Sequence, residues 1–511
     1  MEYLLSIDAG TTSLKVGLFT TDGNCLGVER QEYQLDTPTV ERAQLNPYIY
    51  WQACVTTIHK LIASTGIKPG KILAVSVSSQ GETTIAIDAK GETIYPAIVW
   101  LDNRAELQAK KLAEPFANCV YEHTGIPEII PTWSACKILW LKENEPDIFS
   151  KANTFLLVQD YIIFRMCGRI VTDGSISCTT LNFDINKNTW WSEMLVAVGI
   201  KQEQLPEVVM PGSVVGKIRQ LAAEELGLST NTMVVCGGMD QAVGAIGAGN
   251  IQSGIISEST GAALAVQVTV DEAKVDSRKY IPVYMHSVAG KYLLVPVCPT
   301  GGMALKWMRD QFGQEEVYQA NQMGKDVYDL LTKLAETAPP GSGGLVMLPH
   351  LMGAFSPEIN PLARGSFTGF TLNHTRAHFF RAVLEGVAFL LRRNIDFIKQ
   401  VGVEVHEIVA TGGGSRSRFW NQIKANVCDI PIVTLKNEET ALVGNAVLAG
   451  VASGVFDNID EGCNVMVARQ EVIRPNKEMQ QYFEAYQRYC KLEDTLAEYF
   501  RSAYGDTSAT V

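Results

Sequence analysis

The opening residues restrict the choice of folds more than any other stretch. Leu4-Leu5-Ser6-Ile7-Asp8 is an apolar run ending in one carboxylate, followed by Ala9-Gly10-Thr11-Thr12-Ser13 and a second mostly apolar run from Leu14 to Phe19. A short apolar run bounded by turn residues reads as a buried strand, so the segment is a strand, a small hydroxyl-rich turn and a returning strand. Gly10 lets a ligand approach the backbone with no Cβ in the way. Thr11, Thr12 and Ser13 add hydroxyls, and successive amides of such a turn form an anion-binding nest. Asp8 would repel a phosphate held there unless a cation lay between them, which points to a magnesium nucleotide. An ordinary β-hairpin with a capping aspartate is the other reading this segment permits by itself.

A chain of 511 residues with 46% hydrophobic content exceeds what one core accommodates, so two main domains are expected. The net charge of −12 argues against nucleic acid or an anionic membrane as a partner, because either would favour a basic face. A bound nucleotide must then be held by local groups and a metal. The eleven cysteines are scattered, odd in number and never spaced as CxxC, as expected of reduced thiols outside any zinc site or disulfide frame. Met1-Glu2 opens without a basic region or small-residue cleavage site, and no uncharged apolar stretch approaches membrane-spanning length. The expectation is a soluble, cytoplasmic protein.

Along the chain, residues 3–35 read as a strand meander turning at Thr21-Asp22-Gly23-Asn24. Trp51–Ser64 reads as a helix and Ile72–Ser78 as a strand entering Ser79-Gln80-Gly81-Glu82-Thr83-Thr84. Ile85–Asp88 and Ala97–Trp100 would complete a second meander, with a helix starting at Arg104 and a helical insertion beyond, its clearer elements being Trp133–Lys142 and Phe155–Arg165. The pattern restarts as an expected internal duplication at Met233-Val234-Val235-Cys236-Gly237-Gly238-Met239-Asp240, followed by Ile255–Ala262. Apolar residues at helical spacing from Phe380 to Ile398 mark a long buried helix over Thr375–Val401. Ile408–Thr411 is a strand that runs through Gly412-Gly413-Gly414-Ser415 into a helix over about Arg416–Val427. Residues after about 455 read as a polar, helical tail.

GxxxxGK[ST] is absent, which excludes a P-loop, and the glycine clusters are too weak for a dinucleotide fingerprint. Repeated strand-turn-strand loops with a glycine-rich strand-to-helix turn in the second half fit an α/β fold of two actin-like (ribonuclease H-like) ATPase domains around a central nucleotide cleft, which the family resemblance that follows extends to a sugar.

Five segments then carry a family resemblance in order. Asp8-Ala9-Gly10-Thr11-Thr12-Ser13 resembles the first phosphate motif of the FGGY carbohydrate kinases, Gly237–Gly247 their catalytic-aspartate segment, and Glu258-Ser259-Thr260-Gly261 their second phosphate loop. Pro361-Leu362-Ala363-Arg364-Gly365, with Arg376-Ala377-His378 and Arg381–Gly386, is similar to the C-terminal signature. Thr411–Ser415 with Trp420-Asn421-Gln422 resembles the adenosine-binding segment. The resemblance implies an N-terminal domain over 1–247, a C-terminal domain over 248–454, and a helical tail over 455–511 packed on the body.

Phosphoryl transfer to a sugar hydroxyl needs a base beside the attacking oxygen, a metal across the terminal phosphates and donors for the moving charge. Asp240, ending a buried strand among glycines, is the candidate base; capping the following helix is its alternative role. Asp8 is better placed to orient magnesium through water, with Asp240 beside it. Gly10, Thr11, Thr12, Ser13, Lys15, Thr260 and Gly261 are candidates for the phosphates. Gly412, Gly413, Gly414 and Asn421 are candidates for the adenosine side of ATP. A neutral polyhydroxylated acceptor needs paired donors and acceptors, which Gln80, Glu82, Trp100, Asp102, Arg104, Asp240 and Gln241 supply. Asp102 and Arg104 could equally brace each other.

Glu82 lies in a loop that resembles the glycerol-kinase version without its arginine, where xylulokinases carry histidine. Gly353–Pro361 also departs from many relatives. The expected reaction is transfer of the γ-phosphoryl group of ATP, with Mg2+, to a small neutral sugar or polyol, led by a pentulose such as xylulose. Glycerol, other polyols, ribulose and gluconate stand as alternatives, and a non-kinase actin-like ATPase as a further one. Neither nucleic acid nor membrane is expected as a partner, and a homodimer is compatible with this reading.

Overall fold

The apolar run before Asp8 forms the strand Tyr3–Ala9, paired antiparallel with Ser13–Thr20, which pairs in turn with Cys25–Glu32. On its other side Tyr3–Ala9 runs parallel to Ile72–Ser79, and that strand runs parallel to Met233–Met239. Val214–Lys217 closes this six-stranded sheet, antiparallel to Met233–Met239. The inner strands are apolar on both faces because both are covered. Leu5 and Ile7 pack with the helices Tyr48–Thr65 and Val158–Cys167, while Leu4 and Ala74 pack on the other side with Leu442, Ala446 and Val447 of the helix Thr440–Ala452. Each such Leu or Ile, fully buried, contributes about 1.5–3 kcal/mol. Thr440–Ala452 crosses Asp240–Gly247 almost backbone to backbone: a Cβ on Gly247 would lie 1.8 Å from the Thr440 carbonyl oxygen, and one on Gly444 would lie 2.0 Å from that of Val243.

This computed structural model describes residues 1–273, 278 and 281–505. Residues 274–277, 279 and 280 of the expected C-terminal domain, and 506–511 of the expected tail, lie outside the described residues. The chain divides into two compact units. One holds Met1–Ile251, Val270–Leu293 and Glu439–Ala468; the other holds Gln252–Thr269, Leu294–Glu438 and the chain from Arg469 onward.

The second unit repeats the strand order of the first. Leu264–Val270 pairs antiparallel with Ile255–Thr260, which runs parallel to Glu407–Thr411 and through it to Ile432–Leu435; Arg469–Ile473 closes that edge antiparallel. The long helix is Arg376–Gln400, and its buried positions include Phe380, Leu384, Val387, Leu391, Ile395 and Ile398. The expected helical tail becomes Met479–Tyr504, whose Tyr489 packs 5.5 Å from Phe389 of the long helix.

Three local expectations change. The duplication does not restart at Met233, because Met233–Met239 belongs to the first sheet; the second sheet begins at Ile255. The second meander is reduced to one antiparallel bridge between Thr84 and Ile98. Ile85–Ile87 pairs instead with Thr154–Leu156, and Ala97–Ile98 with Gln44–Leu45. For the same reason the helix expected from Phe155 begins only at Val158: three residues pair as a strand first, a tertiary override of local pattern. All eleven cysteines are free thiols, and Cys25 alone is exposed. Among the described residues no helix is long and apolar enough to cross a membrane.

Candidate active site

Register puts Asp8 opposite Lys15 on the antiparallel side and opposite Ser78 on the parallel side. Ser78 donates its hydroxyl to Asp8 Oδ1 at 2.8 Å, and Asn445 Nδ2 donates to Ser78 Oγ at 2.8 Å and to the Ile7 carbonyl at 3.0 Å. Burial pushes the Asp8 carboxyl up to about 6, against the Ser78 hydrogen bond and the Lys15 charge. Lys15 itself donates to Glu439 at 2.5 Å. The turn that follows is fixed from several sides. Gly10 N donates to the Ser13 carbonyl at 3.0 Å, the Tyr33 hydroxyl donates to the Gly10 carbonyl, and Trp100 Nε1 donates to Thr11 Oγ1 at 2.8 Å. Thr12 is exposed and Ser13 is buried.

Gly238 and Met239 lie opposite Ser78 and Ser79, so Asp240 emerges one residue past the strand end, with Ile72–Ser79 between its strand and that of Asp8. It is the first residue of the helix Asp240–Gly247 and accepts from Gln241 N at 2.6 Å. Burial, then the negative charge of Asp8, push its carboxyl up to about 8. The glycines before it are demanded by close approach: a Cβ on Gly237 would lie 2.1 Å from the Val77 carbonyl oxygen, and one on Gly238 would lie 2.5 Å from Ser175 Oγ. Ser175 accepts from Met239 N at 3.0 Å and donates to Asp173 Oδ1 at 2.5 Å, which holds the turn that presents Asp240.

The acceptor loop carries Glu82 in the left-handed region, at φ 56°. Lys137 Nζ and Ser134 Oγ donate to its carbonyl oxygen at 3.2 and 3.0 Å. Burial pushes the Glu82 carboxyl up and the Lys137 ammonium down, and each charge opposes the shift of the other. Thr179 also bonds the Glu82 carboxyl. Gln80 donates Nε2 to the Tyr50 hydroxyl at 3.0 Å, and its buried Oε1 has no hydrogen-bond partner among the described residues. Trp100 donates its amide to Thr83 Oγ1 at 3.2 Å. Asp102 and Arg104 brace each other: Nε meets Oδ1 at 2.8 Å and Nη2 meets Oδ2 at 2.7 Å, with both side chains at most 2% exposed and the guanidinium 5.1 Å over the Trp140 ring.

The second unit contains a cavity of about 390 Å³, walled by Thr260, Gly261, Gly413, Gly414, Trp420 and Tyr328 among others. Strand register explains the convergence, since Ser259 faces Thr411 and the two strands end together. Gly412 takes φ 70°, and a Cβ on Gly414 would lie 2.7 Å from Thr260 Cβ. The following helix is Arg418–Cys428, two residues later than expected because Gly413–Arg416 forms a separate short turn. Ser417 caps it, accepting from Trp420 N at 3.2 Å, and borders the cavity, so the helix N-terminus opens toward any anion there. Asn421 donates to the Ser415 carbonyl at 2.7 Å and holds the turn without lining the cavity.

Sequence reading overlooked several groups around these residues: Ser78, Lys137, Thr179 and Asn445 in the first unit, and Lys424, Lys306 and Tyr328 in the second. Two of them left a signal. Lys137 stands alone in Ala135-Cys136-Lys137-Ile138-Leu139-Trp140-Leu141, and Asn445 stands alone in an otherwise apolar helix. A lone polar group amid apolar neighbours on all sides is buried and therefore paired.

Two sheets of one strand order, one ending in paired carboxylates and the other in a glycine-walled cavity, define an actin-like ATPase of the phosphotransferase kind. The chain belongs to the FGGY family of carbohydrate kinases: residues 3–247 match the family's N-terminal domain and residues 265–453 its C-terminal domain. It is 32% identical over 462 residues to a gluconokinase from Bacillus subtilis (strain 168), covering 90% of this chain and 89% of that one. It is 29% identical over 461 residues to a xylulose kinase from the same organism, covering 90% of each. Among solved structures, ligand-bound xylulose kinase from Lactobacillus acidophilus superposes with a TM-score of 0.89 at 30% identity, covering 99% of this chain and all of the other. The protein is an ATP-dependent sugar kinase, acting on a small sugar or polyol.

Proposed function

We propose that the acceptor is a neutral polyhydroxylated sugar, a pentulose such as xylulose, and that Asp240 is the base for its attacking hydroxyl. The observation that carries this reading is the buried Lys137, which donates to the Glu82 carbonyl at 3.2 Å and feels the charges of Glu82 and Asp102. A sugar acid needs a cation to receive its carboxylate, and the cations of the acceptor loop are already committed. Lys137 faces Glu82 and Asp102, and Arg104 is held at two points by Asp102. A neutral sugar can use what is left: the Glu82 carboxylate and the Gln80 amide oxygen, which accept hydrogen bonds from hydroxyls. The names of the relatives favour neither substrate, since gluconokinase and xylulose kinase match at 32% and 29% identity.

Asp8 and Asp240 are a fitting pair for Mg2+. They are two carboxylates at the ends of strands that flank Ile72–Ser79 in one sheet, and the charge of Asp8 raises the pKa of Asp240, a repulsion that a hard cation removes. Among the described residues no group of three or more His, Cys, Asp or Glu is arranged to hold a metal, so two carboxylates with water and phosphate oxygens are the donor set on offer. When bound, the ion supplies charge neutralisation across the terminal phosphates. The residues themselves do the rest. Ser78 and Asn445 orient Asp8, and Asp173 and Ser175 orient the turn that aims Asp240. Asp240, once ionised, takes the proton of the acceptor hydroxyl at its free carboxylate oxygen.

A coupled ADP-release assay over xylulose, ribulose, glycerol and gluconate tests the reading. A kcat/KM at least about tenfold higher for a pentulose than for gluconate is expected, a gap of ~1.4 kcal/mol. Equal or faster turnover of gluconate overturns it.

A further inference from the structure

Behind the cavity of the second unit lies a charged group that the reaction as described above does not use. Lys424, on the helix Arg418–Cys428, and Glu258, on the strand that leads to Thr260, both have side chains with no exposure to solvent. Lys424 Nζ donates to Glu258 Oε1 at 2.5 Å and to Thr260 Oγ1 at 2.8 Å, while Thr260 Oγ1 donates to Glu258 Oε2 at 2.7 Å. The ammonium also lies 5.0 Å over the Trp420 ring. Thr260 and Trp420 both line the cavity, so one cation contacts two of its lining residues.

The chemistry of this triangle is determined by its members. An ammonium only donates and a carboxylate only accepts, so the Thr260 hydroxyl must receive from Lys424 and give its single proton to Glu258. It has no proton left for a phosphoryl oxygen. This differs from the role expected of Thr260 from the sequence, in which its hydroxyl bonds the β- or γ-phosphate. What the turn retains for a phosphate is its exposed backbone at Gly261, and the position of that backbone depends on the triangle. A fully buried ion pair is also a poor way to gain stability, because desolvating two charges offsets most of their attraction and an apolar pair of like volume commonly does as well.

We propose that Glu258 and Lys424 are positioning residues for the phosphate-bearing end of the nucleotide: they lock the Thr260 side chain and thereby set the place of the Thr260-Gly261 backbone relative to the glycine turn at Gly413 and Gly414. This rests on the reading of the cavity as the nucleotide site. The contact at Gly414, where a Cβ would meet Thr260 at 2.7 Å, shows how closely the two turns are matched.

The test is the double variant Glu258→Leu/Lys424→Met in the full-length chain, which removes both charges and leaves apolar volume. Single variants are unsuited to decide, since a lone buried charge unfolds proteins for reasons unrelated to ATP. Thermal unfolding, binding of adenosine, binding of an imido-bridged ATP analogue, and kcat with KM for ATP are measured. The expected result is an unfolding midpoint near that of the parent, unchanged affinity for adenosine, and a loss of about tenfold or more in affinity for the ATP analogue and in kcat/KM for ATP, because a turn displaced by a fraction of an ångström misplaces the phosphates. Parental kcat/KM overturns the proposal. So does a double variant that fails to fold, which makes the pair a stability element. If adenosine and the ATP analogue bind the parent chain equally well whether or not Gly413 is replaced by Val, the nucleotide-site reading fails, separately from the proposal.

Discussion

The turn after Asp8 and the turn after Glu258 occupy the same place in two sheets of the same strand order, yet they treat charge in opposite ways. At the first, Asp8 is served by Ser78 and Asn445, which orient it without cancelling its charge, and Lys15 is drawn off by Glu439. A second carboxylate, Asp240, is brought beside it, and burial together with Asp8 pushes that group up to about 8. At the second, the carboxylate of Glu258 is answered at 2.5 Å by Lys424, and the hydroxyl between them is consumed. One turn gathers two buried carboxylates with no cation bonded to either among the described residues; the other has its carboxylate paired behind a glycine wall. Duplicated topology therefore gives two similar scaffolds, and a few side chains decide which one gathers carboxylates and which one pairs its carboxylate away.

The largest expected effect comes from the charged turn. Asp240→Asn should lower kcat by on the order of 10²–10⁴-fold in the coupled ADP-release assay, the usual worth of a positioned base. Sugar affinity by calorimetry should change little; near-parental turnover would remove Asp240 from the chemistry and erase the contrast between the turns. Asp8→Asn should come next, raising the magnesium concentration for half-maximal rate by about 10–100-fold, the range seen for groups that orient metal ligands. A rate that saturates at the parental magnesium concentration would place the cation elsewhere.

On the neutral side, Gly414→Ala drives a Cβ to 2.7 Å from Thr260. An overpacking cost of ~1–3 kcal/mol should raise KM for ATP about tenfold while KM for the sugar stays put, as read by initial rates. Equal shifts in both would mean that the two turns are not separable in function.

The smallest effect tests a carboxylate away from both turns. Asp160, in the first turn of the helix Val158–Cys167, accepts from Leu157 N at 2.9 Å and is raised from its ordinary 3.8 to about 7 by burial. A raised folded-state value means that the native protein binds this proton more tightly than the unfolded chain. Its stabilisation is therefore complete below about pH 4 and lost as the pH climbs through about 7. Asp160→Asn should make the unfolding midpoint less dependent on pH between about 5 and 8, measured by scanning calorimetry. An unchanged slope would assign that dependence to Asp8, Glu82 and Asp240, the carboxylates at the site.

How far the site could be read in advance depended on the range of each interaction. Asp8, Asp240 and the Gly412–Gly414 turn were legible because strand, turn and close-approach chemistry are written in adjacent residues. Asn445 and Lys424 were not, since Asn445 reaches Ser78 across 367 positions and Lys424 reaches Glu258 across 166. Arg104 shows the intermediate case. Its pairing with Asp102 was visible as an option two residues away, and only burial of both side chains turned the option into a brace.

By itself, then, the chain's order of residues determined the kinds of strand end available: an apolar run stopping at Asp8, a second stopping at Asp240, and a third leading through Glu258 to Thr260. Those follow from local sterics and from the need to bury apolar side chains, which act within a few residues. The tertiary structure alone decided that the strand before Asp240 lies in the first sheet, two strands from the strand of Asp8, and that Lys137 meets the Glu82 carbonyl and Lys424 the Glu258 carboxylate. The reason is desolvation. A charge taken out of water must find its counterpart wherever the fold provides one, and that place is set by packing across hundreds of residues, not by neighbours in the chain.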